Sequence, residues 1–160
     1  MGLRLAFAVA SGAPLQLTGG MAREHHLSER VQFADTDMAG IVHFAQFFRY
    51  MERVEHDFFR SLGCSIWDGN NAVAPEDRVG WPRVHASCDY RSPLRFEDCF
   101  TMHLKVVDVS ARSIRYEIDF TTSDGRLCAK GALVAACVAR DASGVMRSVL
   151  IPERFRQLLQ

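Results

Sequence analysis

One stretch of helical periodicity followed by several stretches of period two is the pattern that most restricts this chain. From Phe44 to Leu62 the apolar side chains are Phe44, Phe47, Phe48, Met51, Val54, Phe58, Phe59 and Leu62. That is the i, i+3, i+4, i+7 spacing of a helix with one buried face. Gln46, Arg49, Arg53, His56, Asp57 and Arg60 lie off the face, and Gly63 stands where a helix would stop. From Gly80 onward the period becomes two. Val84, Ala86, Cys88 and Tyr90 alternate with Arg83, His85, Ser87 and Asp89, and Phe100, Met102, Leu104 and Val106 with Thr101, His103 and Lys105. Ile114, Tyr116, Ile118 and Phe120 alternate with Arg115, Glu117, Asp119 and Thr121. All three segments are expected to be half-buried strands. Ser123-Asp124-Gly125 reads as a hairpin turn leading into a long apolar strand from Leu127 to Ala139. Pro152 suits the first position of a short helix through Leu159. With a further strand from Leu27 to Phe33, the order is strand, helix, four strands. Short connections would make the last four strands antiparallel neighbours. The expected class is α+β, a five-stranded antiparallel sheet curved around one long helix, with a short C-terminal helix.

Composition narrows the function. The 160 residues carry 19 basic and 19 acidic side chains, a formal net charge of zero. Nucleic-acid binding through a general basic surface is therefore not expected. No run approaches the roughly 18 apolar residues of a membrane span, so no membrane partner is expected either. The five cysteines, Cys64, Cys88, Cys99, Cys128 and Cys137, are odd in number and form no CxxC pair. They read as packed free thiols of a reducing compartment, which points to the cytoplasm. No His, Cys and carboxylate group shows the local spacing of a metal site, so no metal is expected. Residues 1–26 read as a disordered extension: the apolar run Leu5 to Ala10 only faintly imitates a signal peptide, and Gly19-Gly20 mark a break before Met21. Residues 27–160 form a single domain in this reading.

Two features depart from a plain helix and sheet. Glu55 lies about 40° around the helix from Met51, inside the apolar face, where a carboxylate must find partners or lose its charge. It is either a hydrogen-bonded structural group or a catalytic one. Ahead of the helix, a loop with Asp35, Asp37 and Gly40 meets the start of the helix. A helix start offers unpaired N–H groups and partial positive charge. A carboxylate nearby could then attack a carbonyl carbon, or activate water, while those N–H groups hold the carbonyl oxygen.

The segment DTDMAGIVHFAQFFRYME, with Asp35, Asp37, Gly40, Ile41 and Val42 followed by His43 and Phe44, resembles the signature of the 4-hydroxybenzoyl-CoA thioesterase group of hot-dog-fold proteins. The strand order matches that fold, and GWPRVHASCDYRSPLRFEDCF resembles the family's second strand and following turn. The resemblance implies hydrolysis of a small aromatic or short-chain acyl-CoA. Its catalytic carboxylate would be Asp37, as nucleophile or general base. The backbone N–H of Phe44 would polarise the carbonyl, and His43 is a further candidate beside it. Gly40, Ile41, Val42, Phe47 and Trp81 are the candidate substrate-binding residues. Arg91, Arg95 and Arg112 are candidates for the phosphates of coenzyme A, Arg112 being in the hairpin position where the family places basic residues. Coenzyme A enters only as part of the substrate, and no separate cofactor is expected. The resemblance also implies a homodimer or tetramer, with each site built from the Asp37 loop of one chain and the helix start of its partner. The alternatives are a thioesterase acting on acyl-carrier protein, a hydratase, and a non-catalytic acyl-CoA-binding protein. The hydratases need a D-x-x-x-x-H spacing that is absent, since His43 lies six residues after Asp37.

Overall fold

The fold is taken from a computed structural model that describes residues 23–67, 73–74, 77–141 and 143–159. The expected extension falls mostly outside them. Strand β1 (Glu24–Arg30) is followed by a 3₁₀ turn (Phe33–Asp35), helix α1 (Gln46–Ser61), strands β2 (Arg83–Tyr90), β3 (Cys99–Val109), β4 (Ser113–Thr122) and β5 (Leu127–Ala136), the short strands β6 (Val138–Arg140) and β7 (Met146–Ser148), and helix α2 (Glu153–Leu159). The first five strands form one antiparallel sheet in the order β1-β3-β4-β5-β2. Helix α1 packs on one face of it, burying Phe47, Tyr50, Met51, Val54, Phe58 and Phe59 against Phe100, Met102, Leu104, Ile118 and Phe120. This is the expected five-stranded sheet around one long helix.

Helix α1 packs closely on the sheet at Gly131. A Cβ built there would lie 2.2 Å from the Met51 sulfur and 3.2 Å from its Cγ. The missing side chain lets α1 settle into the sheet. Gly131→Ala is expected to overpack this contact and destabilise the fold by about 1–3 kcal/mol. Urea denaturation would measure it, and pairing the change with Met51→Ala should recover part of the loss.

Six expectations about the elements need correction. The first strand begins at Glu24 and ends at Arg30, rather than running from Leu27 to Phe33. Phe33 is 76% exposed and opens the 3₁₀ turn, in which the Asp35 carboxylate accepts the Gln32 N–H at 3.0 Å. His25 and His26, expected in the N-terminal extension, are paired residues of β1. Helix α1 starts at Gln46, and Phe44 sits in the preceding turn, 61% exposed. Periodicity alone could not tell a last helical turn from the loop that feeds it.

The last four strands are not all neighbours in sequence order. β2 pairs with β5 at one edge of the sheet, and β3 pairs with β1. Residues 91–98 cross the end of the sheet instead of forming a hairpin. As an edge strand, β2 lacks cover, and its alternating residues are not half-buried: Val84 is 64% exposed. Finally, the long run from Leu127 breaks at Cys137. The Cys137 N–H turns to the Arg112 carbonyl at 2.8 Å, and the chain continues as the separate β6-β7 ribbon.

Candidate active site

The loop between the 3₁₀ turn and α1 is held by its own backbone. The Asp37 N–H donates to the Ile41 carbonyl, and the Gly40 N–H returns to the Asp37 carbonyl, both at 2.9 Å. Gly40 has φ +71°, a left-handed conformation that a glycine adopts without strain. The Ala39 N–H donates to Asp37 Oδ1 at 2.8 Å. This fixes one carboxylate oxygen as the acceptor of an Asx turn and leaves the exposed group facing outward.

Asp35 anchors the loop from beneath. Its carboxylate is buried and accepts the Tyr50 hydroxyl at 2.9 Å. Its carbonyl accepts the His43 N–H at 2.9 Å. Burial, and next the bond to Asp35, hold the Tyr50 phenol well above its usual range, so it stays a donor. Asp35 is thus a structural carboxylate that ties the loop to α1. The Val42 N–H donates to the Leu94 carbonyl at 2.8 Å, fastening the loop to the segment after β2.

A cavity of about 650 Å³ opens between this loop and that segment. One wall carries Asp37, Ile41, Val42, Phe44 and Phe47; the other carries Tyr90, Leu94, Arg91 and Arg95. Among the described residues the Phe44 N–H has no protein acceptor. Its neighbours are engaged, His43 N–H with Asp35 and Ala45 N–H with His43 Nδ1 at 3.3 Å. The Tyr90 hydroxyl donates to the Phe44 carbonyl at 3.1 Å, holding the peptide that follows. The Phe47 ring meets Tyr90 and Phe120 edge-on, each at 5.2 Å. On the other side of Asp37 lies a hollow of about 530 Å³ lined by Phe33, Thr36, Met38, Gly40 and Phe96. The guanidinium groups of Arg91 and Arg95 have no protein partner among the described residues.

Asp37, Ile41, Val42, Phe44 and Phe47 therefore meet at one cavity, and Gly40 borders the hollow beside it. Three candidates stand elsewhere. His43 does not line the cavity: its Nδ1 accepts from Ala45 and its ring lies on Phe44, centroids 4.4 Å apart, at the approach to the helix. Trp81 is buried against Phe59 and Phe155. The Arg112 guanidinium donates to the Ser148 carbonyl at 3.0 Å, tying the β3-β4 turn to β7. Within one chain, the Asp37 loop and the approach to the helix line the same cavity. Tyr90 and Leu94 were missed, because Tyr90 read as an ordinary inward strand residue. The turn-rich stretch from Arg91 to Arg95, with Ser92-Pro93 between two arginines, was the available signal.

Glu55 lies outside the cavity. It is fully buried and bonded by Arg83, whose Nε donates to Oε2 at 3.0 Å. Burial raises its pKa and Arg83 opposes the rise. Burial pushes the Cys88 thiol up to about 11 and also raises Cys128, so neither is an activated nucleophile.

The profile of the thioesterase-like superfamily matches residues 31–159, which includes every element lining the cavity. This chain belongs to the thioesterase-like superfamily. It is 29% identical over 93 residues to a 1,4-dihydroxy-2-naphthoyl-CoA hydrolase of Prochlorococcus marinus, covering 56% of this chain and 62% of that protein. It is 26% identical over 107 residues to a 4-hydroxybenzoyl-CoA thioesterase of a Pseudomonas species, covering 66% of this chain and 74% of the other. The aligned regions span 59% to 62% of the length of the first curated relatives. The crystal structure of a 1,4-dihydroxy-2-naphthoyl-CoA thioesterase from Synechocystis shares the fold, with a TM-score of 0.74 at 23% identity, covering 85% of this chain and 95% of that one. The superfamily member thus has the hot-dog architecture. No helix among its described residues is long and apolar enough to cross a membrane.

Proposed function

We propose that this protein hydrolyses acyl-CoA thioesters whose acyl group is small and aromatic. The carrying observation is that Phe44, whose N–H has no protein acceptor among the described residues, lines the same cavity as Asp37. A thioester carbonyl develops negative charge on oxygen as its carbon is attacked, and a fixed N–H at that point lowers the barrier. Thiolate is a good leaving group, so no strong general acid is required.

Asp37 acts by one of two routes. As nucleophile, its oxygen bonds to the carbonyl carbon, the C–S bond breaks, and water then cleaves the mixed anhydride. As general base, it takes a proton from water as the water oxygen bonds to the carbon. Both end in free acid and coenzyme A. The rings of Phe44, Phe47 and Tyr90 support an aromatic acyl group, and the names of the two relatives point the same way. Coenzyme A is substrate, and the reaction uses no further cofactor or metal.

Arg91 and Arg95 meet the phosphates of coenzyme A in this reading. Arg91→Ala/Arg95→Ala is expected to raise KM for acyl-CoA at least about tenfold, because each charge-assisted bond is worth roughly 1.5–3 kcal/mol. It should change kcat little. The exposed β2 edge supports self-association as a dimer or tetramer, since an open strand edge invites pairing. Light scattering on the purified chain would test that. The main test is turnover, read by thiol release, across aromatic and short-chain acyl-CoA esters and acyl-carrier protein. Release from none of them would exclude the proposal. Release from the carrier protein alone would replace coenzyme A as the carrier.

A further inference from the structure

The pairing of β1 with β3 brings together three side chains that the local sequence keeps apart. His26 lies directly across from His103, and Glu24 lies two residues from His26 on the same sheet face. His25 points the other way, where its Nε2 meets Asp57 of α1 at 2.8 Å, so His26 projects from the face opposite the helix. The two imidazoles stack with centroids 4.0 Å apart and planes 16° apart. Glu24 Oε2 lies 3.0 Å from His103 Nε2.

We propose that Glu24, His26 and His103 bind a divalent late first-row cation, of which Zn²⁺ is the probe. One ligand atom from each residue can be chosen so that all three lie within 4.8 Å of one another. Ligands about 2.1 Å from one ion lie at most about 4.2 Å apart, so small side-chain rotations close the set. Two imidazoles and a carboxylate suit zinc, nickel and copper better than magnesium or calcium. Burial, and after it the neighbouring His103, hold His26 below its usual pKa. Lys105 and Asp119 lie on the same face: Lys105 pairs across from Glu24, and Asp119 across from His103. None of the three ligands lines the cavity beside Asp37. The ion would fasten the edge strand β1 to β3 and take no part in thioester hydrolysis. The expectation of no metal rested on local spacing, and residues 26 and 103 could not reveal themselves that way.

The experiment is calorimetric titration of the full chain with Zn²⁺ in a thiol-free reductant, with the histidine ring signals followed by NMR. One equivalent should bind, shifting the ring signals of His26 and His103 while those of His43, His56 and His85 stay in place. His26→Ala and His103→Ala should each weaken binding at least about tenfold, as removal of even an outer partner of a metal ligand commonly does. Zn²⁺ at a hundredfold excess over Kd should raise the wild-type Tm by at least about 4 °C. If either alanine variant fails to fold, His26→Gln and the wild-type NMR titration decide the matter. The proposal is overturned if His26 and His103 signals do not move at about 1 mM Zn²⁺, a concentration that reveals even millimolar affinity. It is equally overturned if folded His26→Ala binds as tightly as wild type.

Discussion

Asp37→Asn is expected to lower kcat by about 10²–10⁴, the usual share of a positioned acid or base, while leaving the melting curve unchanged. The structural half of this expectation comes from the loop. Asp37 contributes its backbone N–H and carbonyl to hold Ile41 and Gly40, and one carboxylate oxygen to the Ala39 N–H. Asparagine keeps all three: its amide oxygen still accepts from Ala39. The side chain is exposed, so the change neither opens a cavity nor buries a polar group. The chemical half comes from the lost anion. An amide is a far weaker nucleophile and base than a carboxylate, while the Phe44 N–H and the aromatic wall persist, so substrate binding should survive. Steady-state kinetics on a variant with wild-type circular dichroism checks both halves. Near-normal turnover would show that the carboxylate beside Phe44 is not the reacting group.

The second large effect belongs to stability. Arg83→Met is expected to destabilise the fold by about 3 kcal/mol, at the lower end for breaking a buried ion pair because Arg83 keeps some access to water. Glu55 is fully buried, and Arg83 is its ion-pair partner. Its Oε1 and the nearby Tyr116 hydroxyl have no partner among the described residues. The guanidinium also reaches Glu52 at 3.7 Å and His56 at 3.3 Å, so its loss loosens β2 from α1.

The effect should depend on pH. Burial already holds the Glu55 carboxyl above its ordinary range, with Arg83 opposing. The folded protein therefore binds this proton more tightly than the unfolded chain does. That contribution to stability is complete below the unfolded pKa and is lost as pH rises through the folded one. Without Arg83 the folded pKa rises further, so the cost of the substitution should grow between about pH 5 and pH 8. Glu55→Gln should flatten that dependence and cost only about 1–2 kcal/mol, with kcat unchanged. Urea titrations at the two pH values read the difference. A loss that shrank toward pH 8 would contradict the assignment of the buried charge.

Local pattern was enough for much of this protein. The face of α1 from Phe47 to Phe59, the alternation of β3 and β4, and the turn at Ser123 to Gly125 follow from periodicity and turn chemistry, which act over a few residues. The turn at the heart of the loop motif from Asp35 to Phe44 was likewise readable, because the bonds among Asp37, Ala39, Gly40 and Ile41 close within one short segment. Glu55 was marked as anomalous by its place on the helix face alone.

The rest depended on contacts between distant residues. Val84 and Tyr90 alternate as inward strand residues do, yet β2 lies at the sheet edge, and only strand order decides which strand is left uncovered. Arg83 reaches Glu55, and Leu94 fastens Val42, across separations that no sequence window spans. Trp81, Arg112 and His43 had residue types that suit a substrate site, but packing against Phe155, a bond to Ser148 and a bond from Ala45 engaged them elsewhere. The same β1-β3 register that brought His26 to His103 supplied a cluster that spacing had excluded. Periodicity reports which side of an element is apolar. What that side meets is set by the register and order of strands, and those are settled only when the whole sheet closes on the helix.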